Sequence, residues 1–294
     1  MYSEKIGLKI YNLAKEIWSY PRSLTGKGNV KTLSKFAEIC PNLNIKYVRS
    51  GQKFYDWKIP NEWNVKEAYI IDPNGKKICD FKENNLHLVG YSIPVDKVIS
   101  LRELIPHLHS LKNLKNAIPY VTSYYSRDWG FCMTENQREK LKEGKYRVKI
   151  DSILKKGKLH YGEILIKGKL KKEIFLSTYI CHPSLANNEI SGMTLGIFLS
   201  NWINKLKKKR KYNSIKTLIE KPPDFFIKSS APNFKPNSSS ISSSFEVKKI
   251  TGKEVFFLNF FKSSSPSIFG IFISITARSG GFLVNPIRAL SPSI

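Results

Sequence analysis

The chain has 294 residues, of which 49 are lysine or arginine and 23 are aspartate or glutamate, so its formal net charge is +26. This length is enough to bury a substantial core and to form more than one folded unit. The charge by itself would favour an anionic partner such as nucleic acid. The lysines are, however, spread along the whole sequence, with one dense run at 205–211, and this favours a solvated surface.

Cysteine usage and hydropathy indicate the compartment. The four cysteines contain no CxxC pair, which argues against a zinc knuckle or a disulfide framework. Lysines interrupt the N-terminal segment where a secretion signal needs an apolar core. The apolar runs 255–261 and 268–275 are shorter than the ~18 residues of a membrane-spanning helix. We therefore expect a cytoplasmic protein that neither enters a membrane nor binds nucleic acid.

Two amphipathic helices are predicted at the N-terminus. Apolar residues at helical spacing indicate the first helix over residues 3–19. Gly26 and Gly28 indicate a loop, after which Asn29 is predicted to cap a second helix that ends before Pro41.

The middle of the chain is predicted to be rich in strands. Residues 67–71 and 77–81 flank an Asn-Gly pair and predict a β-hairpin. A helix is predicted over 101–111, and Thr134 is predicted to cap another. Further strands are predicted at 146–150, 160–166 and 173–181. This pattern predicts an α/β core, formed by residues 1–49 and 141–212 and interrupted by a β-rich subdomain at 50–140.

A polar turn after the last predicted strand carries the residues best suited to chemistry. His182 ends that strand, because Pro183 prevents the strand from continuing, and Glu189 follows at the start of a helix. Ligands of open α/β folds bind beyond the carboxyl ends of the strands, and imidazole and carboxylate are both zinc ligands. His182 and Glu189 are therefore candidate metal ligands. The alternatives are a structural histidine and an acid stabilised by the helix dipole.

Motifs along residues 1–212 resemble a bacterial family of aminopeptidase-like proteins, a domain of unknown function whose core is similar to zinc aminopeptidases. The motifs are Pro21-Arg22-Ser23-Leu24-Thr25-Gly26-x-Gly28, Asp56-Trp57-x-Ile59-Pro60-x-x-Trp63, the segments 85–92, 118–125 and 129–132, Tyr161-Gly162-Glu163, and His182-Pro183-Ser184-Leu185-Ala186-Asn187-Asn188-Glu189-x-Ser191-Gly192. The resemblance implies a zinc aminopeptidase-like (phosphorylase/hydrolase-like) α/β fold, truncated here, with an inserted β-rich subdomain. It also implies zinc, a peptide or amide substrate and a link to polysaccharide biosynthesis.

The resemblance also bears on individual site residues. Zinc aminopeptidases place an aspartate at the position of Asn188, which is a poor zinc ligand because its amide is neutral. Glu189 supplies a carboxylate one residue later, so the choice between the two stays open. Arg22 is a candidate to bind a substrate carboxylate, or else a side chain that fixes its own loop. Tyr124 and Trp129 are candidates to line the substrate site, or else belong to the subdomain core.

The sequence departs from the family after about residue 212. Relatives continue with a strand and a Pro-Glu-Thr-Ile-Gly-Ser-like element, whose glutamate is the implied general base, and no such glutamate follows here. Residues 229–244 are half serine, a composition typical of disorder. We predict that residues 213–294 form an aberrant, disordered tail, through a frameshift or misassembly or as a tail of this lineage.

The sequence thus predicts a zinc-dependent hydrolase of a peptide or amide bond, inactive in this chain because the base and further ligands are missing. One alternative is a catalytically silent member that binds a peptide or a sugar-linked amide. A second alternative is a basic nucleic-acid-binding protein. The remaining candidate histidines are predicted to be structural; they are His87, His107 and His109.

Overall fold

The computed structural model describes residues 2–54, 57–168, 170–206, 213–219, 248–250 and 253–257, which form two main β-sheets with flanking helices. The helices are α1 (Tyr2–Trp18), α2 (Lys27–Ile39), α3 (Leu101–Leu104), α4 (Glu135–Arg138) and α5 (Ser191–Leu206). The strands are β1 (Asn44–Arg49), β2 (Lys53–Phe54), β3 (Trp57–Lys58), β4 (Glu62–Ile71), β5 (Lys77–Ile78), β6 (Val95–Ser100), β7 (Leu108–His109), β8 (Phe131–Cys132), β9 (Lys145–Lys155), β10 (Lys158–Ile166), β11 (Leu170–Thr178), β12 (Asn213–Ile219), β13 (Lys248–Ile250) and β14 (Lys253–Phe257).

The larger sheet has the strand order β1-β10-β12-β11-β14-β13, and β11 lies inside it with parallel neighbours on both sides. Helices α1, α2 and α5 pack against this sheet through apolar side chains that are almost completely buried. Ile17, Leu33, Phe36, Met193 and Ile197 are each 0% exposed. Burial of one such side chain contributes roughly 1.5–3 kcal/mol, so this apolar contact fixes α5 and the turn that precedes it.

Both N-terminal helices are present, which confirms their prediction, but Asn29 does not cap α2. Gly26 occupies the N-cap position, and Asn29 lies inside the helix and is fully buried. The Asn29 side chain accepts a hydrogen bond from the Ser23 N–H at 3.1 Å and donates one to the Ser23 carbonyl at 2.7 Å. It therefore holds the preceding loop rather than the helix end.

The smaller sheet has the order β5-β4-β9-β6. The predicted hairpin is confirmed, because β4 pairs with β5 across a turn in which Gly75 has a φ of 80°. Strand β9 pairs with β4 and β6, so this sheet reaches beyond residue 140, where the subdomain was predicted to end. The division into a core and a subdomain at 50–140 otherwise stays a prediction.

The predicted helix over 101–111 is wrong beyond its first turn. Helix α3 ends at Leu104, residues 105–107 form one turn of 3₁₀-helix, and β7 follows. Pro106 explains the difference, since proline lacks the N–H that a continuing α-helix needs. In contrast, Thr134 does cap α4, with a complete capping box to Gln137.

The predicted start of disorder at residue 213 does not match the structure, which describes three strands beyond it. Strand β12 lies between β10 and β11 with Ile219 fully buried, and β14 pairs with the other side of β11. The prediction for the rest of 220–294, including the serine-rich segment, lies outside the described residues. The mixed α/β class predicted from the sequence is confirmed. Within the described ranges, no helix is both long and apolar enough to span a membrane.

Candidate metal centre after strand β11

A polar turn connects β11 to α5 and carries the candidate ligands. Strand β11 ends at Thr178, three residues earlier than predicted, and a single turn of π-helix, Ala186–Ile190, leads into α5. Single π-helical turns are found frequently at functional sites. Within the turn Ser184 has a φ of 48°, a left-handed conformation that is uncommon for residues other than glycine. The turn is thus held in a specific, strained shape.

His182 and Glu189 are brought together by this turn. The His182 backbone N–H donates to Glu189 Oε2 at 2.6 Å, and His182 Nδ1 lies 3.4 Å from the same oxygen. The Glu189 side chain is 0% exposed, while the neighbouring Asn188 is exposed and accepts from the Tyr179 hydroxyl. The structure therefore places Glu189, and not Asn188, beside the histidine.

The electrostatics of Glu189 are those of a buried carboxylate that is only partly satisfied. Burial raises the pKa of Glu189, and the hydrogen bonds from His182 and the charge of Arg22 oppose this rise. Its second oxygen, Oε1, is buried and has no hydrogen-bond partner among the described residues. Buried polar atoms are nearly always hydrogen-bonded, so the unpartnered Oε1 is an exception that a further ligand of Glu189 would explain.

Cys181 also lies at this site, although the sequence patterns did not predict it as a candidate ligand. Its Sγ lies 3.2 Å from His182 Nδ1, and the donor atoms of Cys181, His182 and Glu189 all lie within 4.8 Å of one another. The available signal was a cysteine directly before the strand-ending histidine. It was hidden by the prediction that the strand extends to residue 181, because neighbouring residues of a strand point to opposite faces.

Arg22 is a buried support of the turn. It is 1% exposed, its Nε donates to the His182 carbonyl at 3.1 Å, and its Nη1 donates to the Ile17 carbonyl. Burial lowers the pKa of Arg22, although the Glu189 charge acts in the opposite direction. Of the two roles left open by the sequence, these contacts support loop fixing, because Nε and Nη1 are both occupied by backbone carbonyls.

The two glycines of the N-terminal motif explain how Arg22 reaches this position. A Cβ on Gly28 would lie 2.2 Å from the Pro21 carbonyl oxygen, so only glycine lets the start of α2 lie against the loop that carries Arg22. Gly26 has a φ of 108°, and its Cβ would lie 2.4 Å from the Trp63 carbonyl oxygen. The motif is therefore a close backbone contact that positions the arginine.

Tyr120 and Tyr124 extend the site into a cleft. The Tyr120 ring lies 4.8 Å from the His182 ring, and its hydroxyl is 2.7 Å from the Tyr124 hydroxyl. Tyr124 in turn lines a cleft of about 290 Å³ together with Trp57, Tyr125 and nearby residues. The prediction that Tyr124 contacts a substrate is compatible with this position and stays a prediction.

Trp129 is not brought to His182. It is 7% exposed and belongs to the apolar core around the smaller sheet, where it stacks on His107 at a centroid distance of 3.7 Å. These contacts match the alternative of a core aromatic rather than a residue that lines the substrate site. His87 is also structural, since its buried Nδ1 lies 2.8 Å from the Cys132 carbonyl oxygen.

Asn85 connects the candidate site to the smaller unit, by which we mean the smaller sheet and the residues packed around it. Its side-chain oxygen accepts from the Ser184 hydroxyl, and its Nδ2 donates to the Ser19 carbonyl at 3.2 Å. Ser184 is the strained residue of the polar turn. The Asn-Leu-His motif at 85–87 therefore joins the end of α1, the smaller unit and the turn after β11.

Comparison with known proteins gives the family context. Residues 62–153 match a family described as a domain of unknown function (DUF2172). A Clostridium acetobutylicum protein named "putative polysaccharide biosynthesis protein with aminopeptidase-like domain" is 47% identical over 210 residues, which cover 71% of this chain and 48% of the relative.

The solved structures agree with that relationship. The crystal structure of a "putative peptidase" from Clostridium acetobutylicum superposes with a TM-score of 0.71 and 45% identity, over 74% of this chain and 51% of that one. A zinc aminopeptidase from Bacillus subtilis is 10% identical at a TM-score of 0.45, over 71% and 59% of the two chains, and is too distant to support an argument. The chain spans about half the length of the relatives it matches. The resemblance predicted from the motifs is confirmed: residues 62–153 match the DUF2172 family, and the chain is similar to a bacterial protein named for an aminopeptidase-like domain.

Proposed function

We propose that this chain is part of a zinc-dependent hydrolase of the aminopeptidase-like class, which cleaves a peptide or amide bond in the cytoplasm. The observation that carries the proposal is the buried Glu189 carboxylate, 3.4 Å from His182 Nδ1, whose other oxygen has no partner among the described residues. A buried carboxylate without a full set of partners is costly, and a cation beside it would offset that cost. The side chains present therefore fit a zinc ion.

In this proposal the chain's own residues build and orient the ligand set. His182 and Glu189 hold the metal, and Arg22 fixes the His182 backbone through a hydrogen bond to its carbonyl. Tyr120 packs against the imidazole and limits its rotation. A bound zinc ion supplies a water of lowered pKa and polarises a carbonyl oxygen.

The Pro-Glu-Thr-Ile-Gly-Ser-like element that would supply a general base near His182 does not follow residue 212 in this sequence. The donor cluster there consists of Cys181, His182 and Glu189, and a positioned base contributes typically 10²–10⁴-fold to such reactions. We propose that the chain as it stands hydrolyses substrates at background rates. The alternative of a silent member that binds a peptide or sugar-linked amide predicts the same result for this chain.

A chimera distinguishes the hydrolase from the silent binding member. The test compares this chain with a chimera whose C-terminal part comes from the Clostridium acetobutylicum relative, on aminoacyl-arylamide substrates with and without a chelator. The expected result is chelator-sensitive activity in the chimera and background in this chain. A chimera that folds and binds zinc but stays inactive would support the silent binding member. Chelator-sensitive activity in the unaltered chain would contradict the proposal that this chain lacks a general base.

A further inference from the structure

We propose that Cys181 is a third protein ligand, so that Cys181, His182 and Glu189 form a complete mixed sulfur, nitrogen and oxygen metal site within this chain. This inference rests on the proposed function, because it requires His182 and Glu189 to bind a metal. It goes further in assigning a thiolate to the site and in making metal binding independent of any segment beyond α5.

The spacing of the donor atoms supports a common ion. Zinc bonds of 2.0–2.1 Å to nitrogen and about 2.3 Å to sulfur place neighbouring ligand atoms of a tetrahedral site about 3.3–3.6 Å apart. The observed distances from His182 Nδ1 are 3.2 Å to Cys181 Sγ and 3.4 Å to Glu189 Oε2, and all three donors lie within 4.8 Å. Small side-chain adjustments therefore suffice.

A second observation is independent of the cysteine. Glu189 Oε1 is buried without a partner among the described residues, which leaves lone pairs of this carboxylate available next to the thiol and the imidazole. A simple hydrogen-bonded trio would leave this oxygen orphaned, whereas a shared cation neutralises the whole carboxylate. Three protein donors with one open position are also the usual composition of a catalytic zinc site.

The architecture explains why a cysteine reaches this position. Strand β11 ends at Thr178, and the three residues that follow are irregular, so Cys181 no longer obeys the alternation of a strand. The Arg22 Nε contact to the His182 carbonyl then fixes the backbone directly after these two residues. A thiolate donor selects zinc and related ions over magnesium and calcium, which prefer oxygen ligands.

The experiment uses Co²⁺ as the probe with the purified full chain. Equilibrium dialysis measures the stoichiometry, and near-ultraviolet absorption detects the charge-transfer band of a thiolate bound to Co²⁺. The unaltered chain is expected to bind one equivalent and to show the band. Cys181→Ser should remove the band and weaken binding roughly ten- to a hundredfold or more. Cys40→Ala, at a buried cysteine that is not part of the cluster, should change neither.

Each other outcome overturns a defined part of the assignment. One equivalent of Co²⁺ without the band would refute Cys181 as a ligand and leave the His182–Glu189 site standing. A band that persists in His182→Ala would place the thiolate site elsewhere, and an absence of any Co²⁺ binding would refute the proposed metal function as well. If Cys181→Ser does not fold, X-ray absorption of the zinc-loaded unaltered chain decides, because one sulfur at about 2.3 Å is required.

Discussion

The two sheets of this molecule treat their buried polar groups differently. Around the smaller sheet, His87 and His107 each contact a backbone carbonyl through Nδ1, at 2.8 and 2.9 Å. Near the larger sheet, three buried side-chain atoms have no partner among the described residues, and two of them, Arg22 Nη2 and Glu189 Oε1, lie at the polar turn. His87 and His107 therefore have backbone partners, whereas the polar turn after β11 holds two of the three unpartnered atoms and the third is His160 Nδ1 in β10.

The carboxylates show the same contrast. Hydrogen bonds from Ser100 lower the pKa of Glu103, and the neighbouring Lys149 lowers the pKa of Asp96, so the smaller unit stabilises its charged groups. Burial instead raises the pKa of Glu189. Asp96 and Glu103 are exposed, whereas Glu189 is 0% exposed, so Glu189 is the one of the three carboxylates whose charge lacks solvent. A buried carboxyl with a shifted pKa beside a histidine is the kind of group on which a functional-site hypothesis rests.

The largest stability effect is expected for Gly28→Ala, at the contact that supports the polar turn. The added Cβ would meet backbone atoms of Pro21 and Arg22 at 2.2–2.9 Å, and backbone cannot move aside cheaply. We expect the free energy of unfolding to fall by about 2–3 kcal/mol in denaturant titrations. The matched control is Gly7→Ala on α1, where nothing lies within 4 Å and a gain of about 0.5–1 kcal/mol is expected. Equal effects of the two substitutions would contradict the close contact.

Asn85→Ala tests the link between the smaller unit and the polar turn. It removes the donor to the Ser19 carbonyl and the main acceptor of the buried Ser184 hydroxyl, which keeps only a longer contact of 3.3 Å to the Trp18 carbonyl. We expect a loss of about 1–3 kcal/mol and weaker metal binding through the displaced turn. Asn116→Ala, whose hydrogen bond to Asn136 is exposed, should stay within about 0.5 kcal/mol. A loss of stability with unchanged metal affinity would show that Asn85 does not position the site.

The smallest effect is a pH-dependent one in the smaller unit. Because the pKa of Glu103 is lowered in the folded state, its stabilisation is present above its unfolded pKa of about 4.3 and is lost as the pH falls through the folded pKa. Glu103→Gln should therefore be slightly less stable than the unaltered chain at pH 7 and should match it in strong acid. Thermal unfolding at both pH values measures this, and a constant difference would refute the assignment.

Local sequence signals predicted much of the fold and two of the three residues of the candidate site. The helical spacing before Pro21, the Asn-Gly hairpin and the Thr134 cap act within a few residues, and the structure contains all three. His182 and Glu189 were also recognisable, because they follow an apolar strand and a helix begins soon after the glutamate, although β11 ends at Thr178 and not at Pro183.

Features set by distant contacts were not predictable in this way. Strand β12 exists through pairing with β10 and β11, which no local pattern reports, so the predicted regular structure ended at residue 212. The role of Trp129 stayed open between the substrate site and the subdomain core, because composition does not distinguish an aromatic core from an aromatic surface. Cys181 was missed because the strand was predicted to reach residue 181, which would place Cys181 and His182 on opposite faces. In the structure β11 ends at Thr178, so this alternation does not apply to Cys181.

Zinc stoichiometry tests the central claim most directly. The purified chain, His182→Ala and His107→Ala are each dialysed against zinc at equal concentration, and bound metal is measured per chain. His107 is the matched control because its Nδ1 contacts the Trp129 carbonyl oxygen in the smaller unit. The account predicts one zinc ion in the unaltered chain and in His107→Ala, and none in His182→Ala. Equal zinc in all three proteins, or none in the unaltered chain, would contradict a metal centre after β11.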